Sequence, residues 1–297
     1  MLIEMETGLL LSISMLACLV NGTVYKIFIS KWNGHNALRY LYTLVTGVVS
    51  TIILLLWGGI RTTSFFTFGL GVVFGIITAL QSIFLLSALR IGPYAYTTVI
   101  TFLSTLIPAL SGYLFWNEEI GISQIFGMFL LVVCLILSVS RSADEKSANA
   151  RWIISCGLAF LCTGLIGVMQ KIHQTSPHQD ELNAFLIIAF LCSGIFSALS
   201  LSIVCKREGK LPFAKKDWIL SVALLALAGV CIAVNNKLNL YLSGVIDSAV
   251  FFPLVNGGHL VLTTLVAVIF FHEKQTKKQW FGLISGIIAV VFLCNLF

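Results

Sequence analysis

Residues 246–297 read IDSAVFFPLVNGGHLVLTTLVAVIFFHEKQTKKQWFGLISGIIAVVFLCNLF. Two apolar runs flank one short charged turn, His272-Glu273-Lys274 through Lys277-Lys278. Each run reaches the roughly 18 residues that mark a membrane-spanning helix. The first run also carries Pro253, Asn256 and His259. A lipid-facing span normally excludes such residues, and a polar cavity facing them is the expected reason.

A weaker copy lies in the first half, where residues 92–140 read GPYAYTTVITFLSTLIPALSGYLFWNEEIGISQIFGMFLLVVCLILSVS. A shift of 155 positions lays Phe115, Glu118, Gln124, Phe126 and Gly127 on Phe270, Glu273, Gln279, Phe281 and Gly282, and Gln81 on Asn236. A shift of 145 lays Gly22, Lys26 and Ile27 on Gly167, Lys171 and Ile172. The chain therefore reads as two related halves.

Composition sets the solvent. Hydrophobic residues make up 58% of the chain and charged residues 10%, against about 25% charged in a soluble domain. The mean hydropathy is +1.00. No packed core hides this much apolar surface from water, so the chain is expected to be an integral membrane protein. Ten apolar runs follow, at about 7–29, 37–57, 65–89, 94–115, 122–140, 152–173, 183–205, 218–242, 246–271 and 279–297. In hydrocarbon each helix satisfies its own backbone hydrogen bonds, which predicts an all-α bundle of ten transmembrane helices. Residues 1–140 form the first five-helix repeat, 141–151 (RSADEKSANAR) a linker, and 152–297 the second repeat. The start, MLIEMETGLL, has two glutamates and no basic residue, so the first run is expected to be a retained helix.

Other classes find little support. The net charge of +6 sits in short loops, with no basic stripe for nucleic acid. No stretch is long enough for a separate nucleotide-binding domain, and no GxxxxGK[ST] occurs. The eight cysteines lie in or beside apolar runs without a CxxC or Cys/His cluster. They read as small buried hydrophobes, and neither a metal nor a cofactor is expected. All six tryptophans fall at or next to run ends, where an indole prefers the headgroup layer.

Loop charge predicts orientation. One side collects 15 of the 18 basic residues; Arg61 and Lys171 lie on the other, and Lys237 inside the eighth run. The positive-inside rule makes the 15-residue side cytoplasmic and puts both termini outside, in a multi-pass protein of the cell membrane. Five helices per half insert the second half upside down, and inverted repeats of this kind bind small solutes near the midplane in secondary transporters.

Polar residues inside the runs are the candidate site. The eighth run holds Asn235, Asn236, Lys237 and Asn239, with Gln81 as the first-half counterpart of Asn236. They form either the hydrogen-bonding wall of a substrate cavity or interhelical contacts that hold the bundle together. Lys237, near the run's outer end, either meets substrate or snorkels to the interface. Asn256 and His259 are spaced i, i+3 on one face, and His259 is the candidate for proton coupling. The fourth run offers Tyr94, Tyr96, Thr98 and Thr101, with Pro93 and Pro108 able to break or bend it. Lys26 and Lys171 read as snorkelling or gate charges, Glu118 and Glu273 as turn caps or ion-pair partners, and Asp247 as an N-terminal helix charge.

The halves resemble those of the drug/metabolite transporter superfamily, in its ten-helix EamA-type branch. The residues that carry the resemblance are Pro108, Glu118 and Gln124-Ile125-Phe126-Gly127, and again Pro253, Glu273 and Gln279-Trp280-Phe281-Gly282. The two prolines do not coincide under the 155 shift. The resemblance implies a secondary active transporter that moves a small metabolite or drug-like solute by alternating access, often as an exporter, and not an enzyme. Its partners would be a small-molecule substrate and the lipid bilayer, with no nucleic acid, in a monomer or homodimer. The alternatives are a non-transporting membrane partner such as a flippase subunit, or an intramembrane hydrolase built on Ser111 and His259.

Overall fold

The computed structural model describes residues 2–31, 36–60, 62–91, 94–138, 149–208, 218–271 and 276–294. Among them the helices are α1 (Leu2–Lys31), α2 (Asn36–Leu56), α3 (Phe65–Ile91), α4 (Tyr94–Leu103), α5 (Leu106–Trp116), α6 (Ile122–Ser138), α7 (Ala150–Gln174), α8 (Leu182–Glu208), α9 (Trp218–Val245), α10 (Ser248–Phe271) and α11 (Lys277–Leu293). A 3-10 turn, Gln179–Glu181, precedes α8, and no strand occurs among the described residues. Eight stretches are long and apolar enough to cross a bilayer, and Ile122–Leu137 is a shorter apolar helix. The protein is an all-α, multi-pass membrane protein. Large apolar side chains such as Leu56, Phe65, Ile122 and Ile219 stand exposed, as a lipid-facing surface requires. Residues 141–148 of the expected linker, and the turn that carries Glu273, lie outside the described residues.

The chain forms two compact units. The first comprises residues 1–79 and 173–242, and the second residues 80–172 and 243–297. Each expected repeat therefore gives helices to both units. In the first unit α2 packs on α8. Gly47 meets the Phe190 carbonyl and Gly58 meets Asn183, so the two helices run antiparallel. The start of α3 is fastened by the 3-10 turn. Glu181 accepts the Ser64 N–H at 2.9 Å and the Ser64 hydroxyl at 2.7 Å, while Ser64 Oγ accepts the Thr67 N–H. Helix N-termini carry unpaired N–H groups and partial positive charge, so a carboxylate there stabilises α3.

In the second unit α6 packs on α11 and α5 on α10. The repeated Gln-x-x-Gly motif acquires a physical meaning here. Gln279 reaches back to the Thr276 N–H at 2.8 Å while Thr276 Oγ1 accepts the Gln279 N–H at 3.3 Å, a capping box at the start of α11. Gln124 repeats half of it by accepting the Gly121 N–H at the start of α6. Gly127 then lets α6 approach α11: a methyl in its place would stand 3.1 Å from the Ala289 carbonyl. Ser123 bonds to the Phe292 carbonyl and Ser285 to the Leu130 carbonyl, so this pair is antiparallel too. Trp152, expected in the headgroup layer, is instead buried in the cluster of Ala88 and Cys156. Its indole N–H donates to Thr97 Oγ1 at 2.9 Å. Its place at a run end reflects packing of α7 on α3 and α4.

Candidate functional site

The fourth apolar run is two helices. Pro108 has no N–H, and its ring crowds the carbonyl four residues back, which belongs to Ser104. That carbonyl takes the Ile107 N–H instead, at 3.0 Å. The Ser104 and Thr105 N–H groups turn back to the carbonyls of Thr101 and Phe102, at 3.3 and 3.1 Å. These tight i to i−3 bonds separate α4 from α5 at Ser104-Thr105. Ser104 Oγ donates to the Thr101 carbonyl at 2.5 Å. From α10, Asn256 Nδ2 donates to Thr105 Oγ1 at 3.0 Å.

A cavity of about 280 Å³ lies against this break. Its walls are Leu85 and Leu89 of α3, Thr101 and Phe102 of α4, Ser104 at the break, Thr163 of α7 and Asn256 of α10. Among these residues none is charged. At about 30 Å³ per water, the space equals roughly nine waters. An apolar wall with a few neutral hydrogen-bonding groups suits a small amphipathic solute.

Beyond the break, α5, α7 and α10 close on one another. Ile107 packs on Gly164, and Pro108 packs on Gly167 beside Phe252. A methyl at Gly167 would stand 2.8 Å from Pro108 Cγ and 3.0 Å from Phe252 Cε1, so only glycine permits this approach. At the far end of the seam lies an ion pair. Lys171 Nζ is 2.5 Å from Glu118 Oε1, and the two side chains are 6% and 7% exposed. Lys171 also donates to the Ile246 carbonyl at 3.4 Å. Glu118 accepts the Ser248 N–H at 2.7 Å and the Ser248 hydroxyl at 3.2 Å, at the start of α10. Asn117 makes this possible. It adopts φ 51°, ψ 32° after α5, the left-handed conformation that asparagine tolerates best after glycine. The chain folds back, and Glu118 N–H bonds to the Gly112 carbonyl at 3.2 Å. Lys171 is thus neither exposed nor snorkelling.

The predicted site residues fall in both units. In the first unit, Asn235 Nδ2 donates to the Ser14 carbonyl and hydroxyl at 3.0 and 3.1 Å. Ser14 Oγ in turn donates to Asn239 Oδ1 at 2.5 Å. Ser14 is fully buried. This network ties α1 to α9 and uses much of the hydrogen-bonding capacity of both asparagines. Asn236 Nδ2 donates back to the Ile232 carbonyl of its own helix. Lys237 Nζ stands 4.1 Å from the centre of the Trp57 ring, a cation–π contact. In the second unit Asn256 lines the cavity, and His259 lies one turn further along α10. Gln81 is partly buried on α3 and accepts from Ser82 Oγ at 3.4 Å. Tyr94 and Thr98 belong to α4, but their side chains lie outside the described residues. Ser104, Thr105 and Thr163 escaped the sequence reading. Pro108 was the available signal for the first two, since it acts on the residues three and four positions before it. Ser111, weighed as a nucleophile, donates to the Pro108 carbonyl at 2.8 Å.

The stitching role of Ser14 has a direct check. Ser14→Ala is expected to lower the melting temperature by a few degrees, since interhelical hydrogen bonds in membranes contribute about 0.6 to 2 kcal/mol. Solute binding should be unchanged. An unchanged melting temperature with lost binding would instead place Asn235 and Asn239 at the solute.

Residues 150–295, from α7 through α11, match the model of the EamA-like transporter family. The second half of this chain belongs to that family. EamA-like transporters fall within the drug/metabolite transporter superfamily. Among curated proteins none matches the sequence. Twenty-nine chains of solved structures match it by fold. One, titled only as the crystal structure of a protein, is 15% identical with a TM-score of 0.73 and covers 98% of this chain and 97% of its own. At that identity it shares the fold alone. The EamA-like half supplies Lys171, the α9–α10 turn, Asn256 and His259, and the first half supplies the α4–α5 break and Glu118.

Proposed function

We propose that this protein is a secondary transporter that moves a small, largely uncharged amphipathic solute across the cell membrane. The observation that carries this reading is the broken span α4–α5, whose break lines a cavity and meets Asn256 of α10. In transporters built from inverted repeats, discontinuous helices form solute sites because their freed backbone groups can face a cavity rather than lipid.

Packing supports two inverted halves of five spans. With α4–α5 counted as one span, α2 with α8, α5 with α10, and α6 with α11 are equivalent helices of the two halves. Each pair is in contact. Repeats related by a two-fold axis in the membrane plane place equivalent helices antiparallel, as the contacts of these pairs run. Leu130 and Ser285, which bond to each other, are equivalent under the 155 shift. Alternating access is the working mechanism that two inverted halves support, and export is the direction that the family resemblance suggests. Loop charge places both termini, and the turn bearing Glu118, on the extracytoplasmic side.

A thermal-shift screen of the purified protein at two pH values, against amino acids, sugars, nucleotide sugars, polyamines and cationic drugs, tests the reading. A ligand at 100 times its Kd stabilises the native state by about 2.7 kcal/mol. The expected hit is uncharged or amphipathic. It is lost in Asn256→Ala, and its pH dependence is lost in His259→Gln if the imidazole carries the coupling proton. A hit that survives Asn256→Ala removes the solute from this cavity. Absence of flux into proteoliposomes for every hit overturns the transporter reading.

A further inference from the structure

We infer that the Lys171–Glu118 pair is a latch that holds the seam of α5, α7 and α10 shut on one side of the cavity. Three separate chain segments meet at it: the turn after α5, the last turn of α7 and the first residue of α10. The neighbouring carboxylates Glu119 and Asp247 are exposed. Glu118 alone is drawn in, by Lys171, by the Ser248 N–H and by the Ser248 hydroxyl. A membrane protein that buries two opposite charges loses their hydration, so such a pair is weak support for stability and its best-attested use is in registry and switching.

What the latch closes is visible in the layer beneath it. Between the cavity and the pair lie Ile107 on Gly164, and Pro108 and Phe252 on Gly167. From Ser248 to Asn256 is eight residues of α10, about 12 Å of helix. The latch thus grips α10 at one end, and the cavity lies about two turns along it. On α5 the same layer runs from Thr105, which Asn256 touches, to the Asn117-Glu118 turn. Breaking the pair frees the ends of both helices on the same side. The cavity then opens between α5 and α10, with Gly164, Gly167 and Gly112 as the close contacts that part. The pair is a positioning device, and nothing requires either side chain to touch the solute.

The purpose of the latch rests on the transporter reading, but its opening can be measured without any solute. The full chain, with its eight native cysteines replaced, carries Ser111→Cys. Ser111 is buried and shares a face of α5 with Pro108. The rate at which a maleimide labels this thiol in detergent reads the opening of the seam. An exposed Thr276→Cys serves as the control and should label equally in every background. Labelling is followed about 20 °C below the melting temperature of each variant, which separates opening from unfolding. Glu118→Gln and Lys171→Met are each expected to raise the Ser111→Cys rate about tenfold or more, since removing one partner of a buried pair strongly disfavours the state that buries the other. Should a single variant fail to fold, Glu118→Gln with Lys171→Met leaves no unpaired charge but also no ion pair, and is expected to show a smaller rise, above about twofold and below that of the single variants. Rates within about twofold of the parent in all folded variants would overturn the latch. A protein that fails every uptake assay yet shows the rise keeps the latch and loses the transporter reading.

Discussion

Replacing Lys171 by Met is expected to lower the melting temperature of the purified protein by roughly 10 °C. The substitution keeps the length and apolar stem of the side chain and removes the charge. Glu118 then stays buried with only the Ser248 N–H and hydroxyl to hold its carboxylate. Breaking a buried pair at one partner costs about 3–5 kcal/mol, because the remaining charge has neither water nor counter-ion. Each kcal/mol shifts melting by about 2–4 °C for a chain somewhat smaller than this one. The double variant Glu118→Gln, Lys171→Met should recover most of the loss. A neutral amide oxygen still accepts the Ser248 N–H, and no charge is stranded. A double-mutant cycle on melting temperature reads the pair directly. A loss below about 3 °C in Lys171→Met would mean that water reaches Glu118, and the burial argued for the pair would be wrong.

The second large effect is expected on transport. Pro108→Ala restores an N–H opposite the Ser104 carbonyl and removes the ring that displaces it. Alanine is favoured over proline in a helix interior by about 3 kcal/mol. The chain from α4 into α5 can then run as one helix, in which the Ser104 carbonyl takes the N–H of residue 108 in place of that of Ile107 and the cavity wall straightens. Uptake of an identified solute is expected to fall by roughly tenfold or more, as positioning losses of this kind do at solute sites. Hydrogen exchange at Ser104–Ile107 should slow in the same variant. Stability should change less than transport does, because the lost ring contact with Gly167 offsets the gained hydrogen bond. Slower exchange with unchanged uptake would reduce the break to a packing detail and separate it from the solute.

Much of the architecture was legible because lipid is a severe solvent. A chain with 58% hydrophobic residues, charges confined to short turns and apolar runs of about 20 residues has one practical solution, a bundle of helices. The paired motifs Gln124…Gly127 and Gln279…Gly282 were visible as a repeat, and the capping by both glutamines and the close approach at Gly127 follow from the chemistry of an amide side chain and of a residue without Cβ. Pro108 announced a break in the fourth run before its position could be known.

What the sequence alone left open were the partners of each intramembrane polar group. Asn235 and Asn239 read either as a solute wall or as interhelical contacts, and it is Ser14, more than 200 residues away in the chain, that bonds to both. Lys171 read as a snorkelling lysine or a gate charge, and Asn117 turns the chain so that Glu118 meets it in a buried site. Trp152 looked like an interfacial anchor, but Thr97 holds it inside. Hydrophobic periodicity reports only whether a face avoids water. Which polar group answers another depends on helix approach to within a few tenths of an ångström, and that is decided by glycines such as Gly127 and Gly167 acting between helices far apart in sequence.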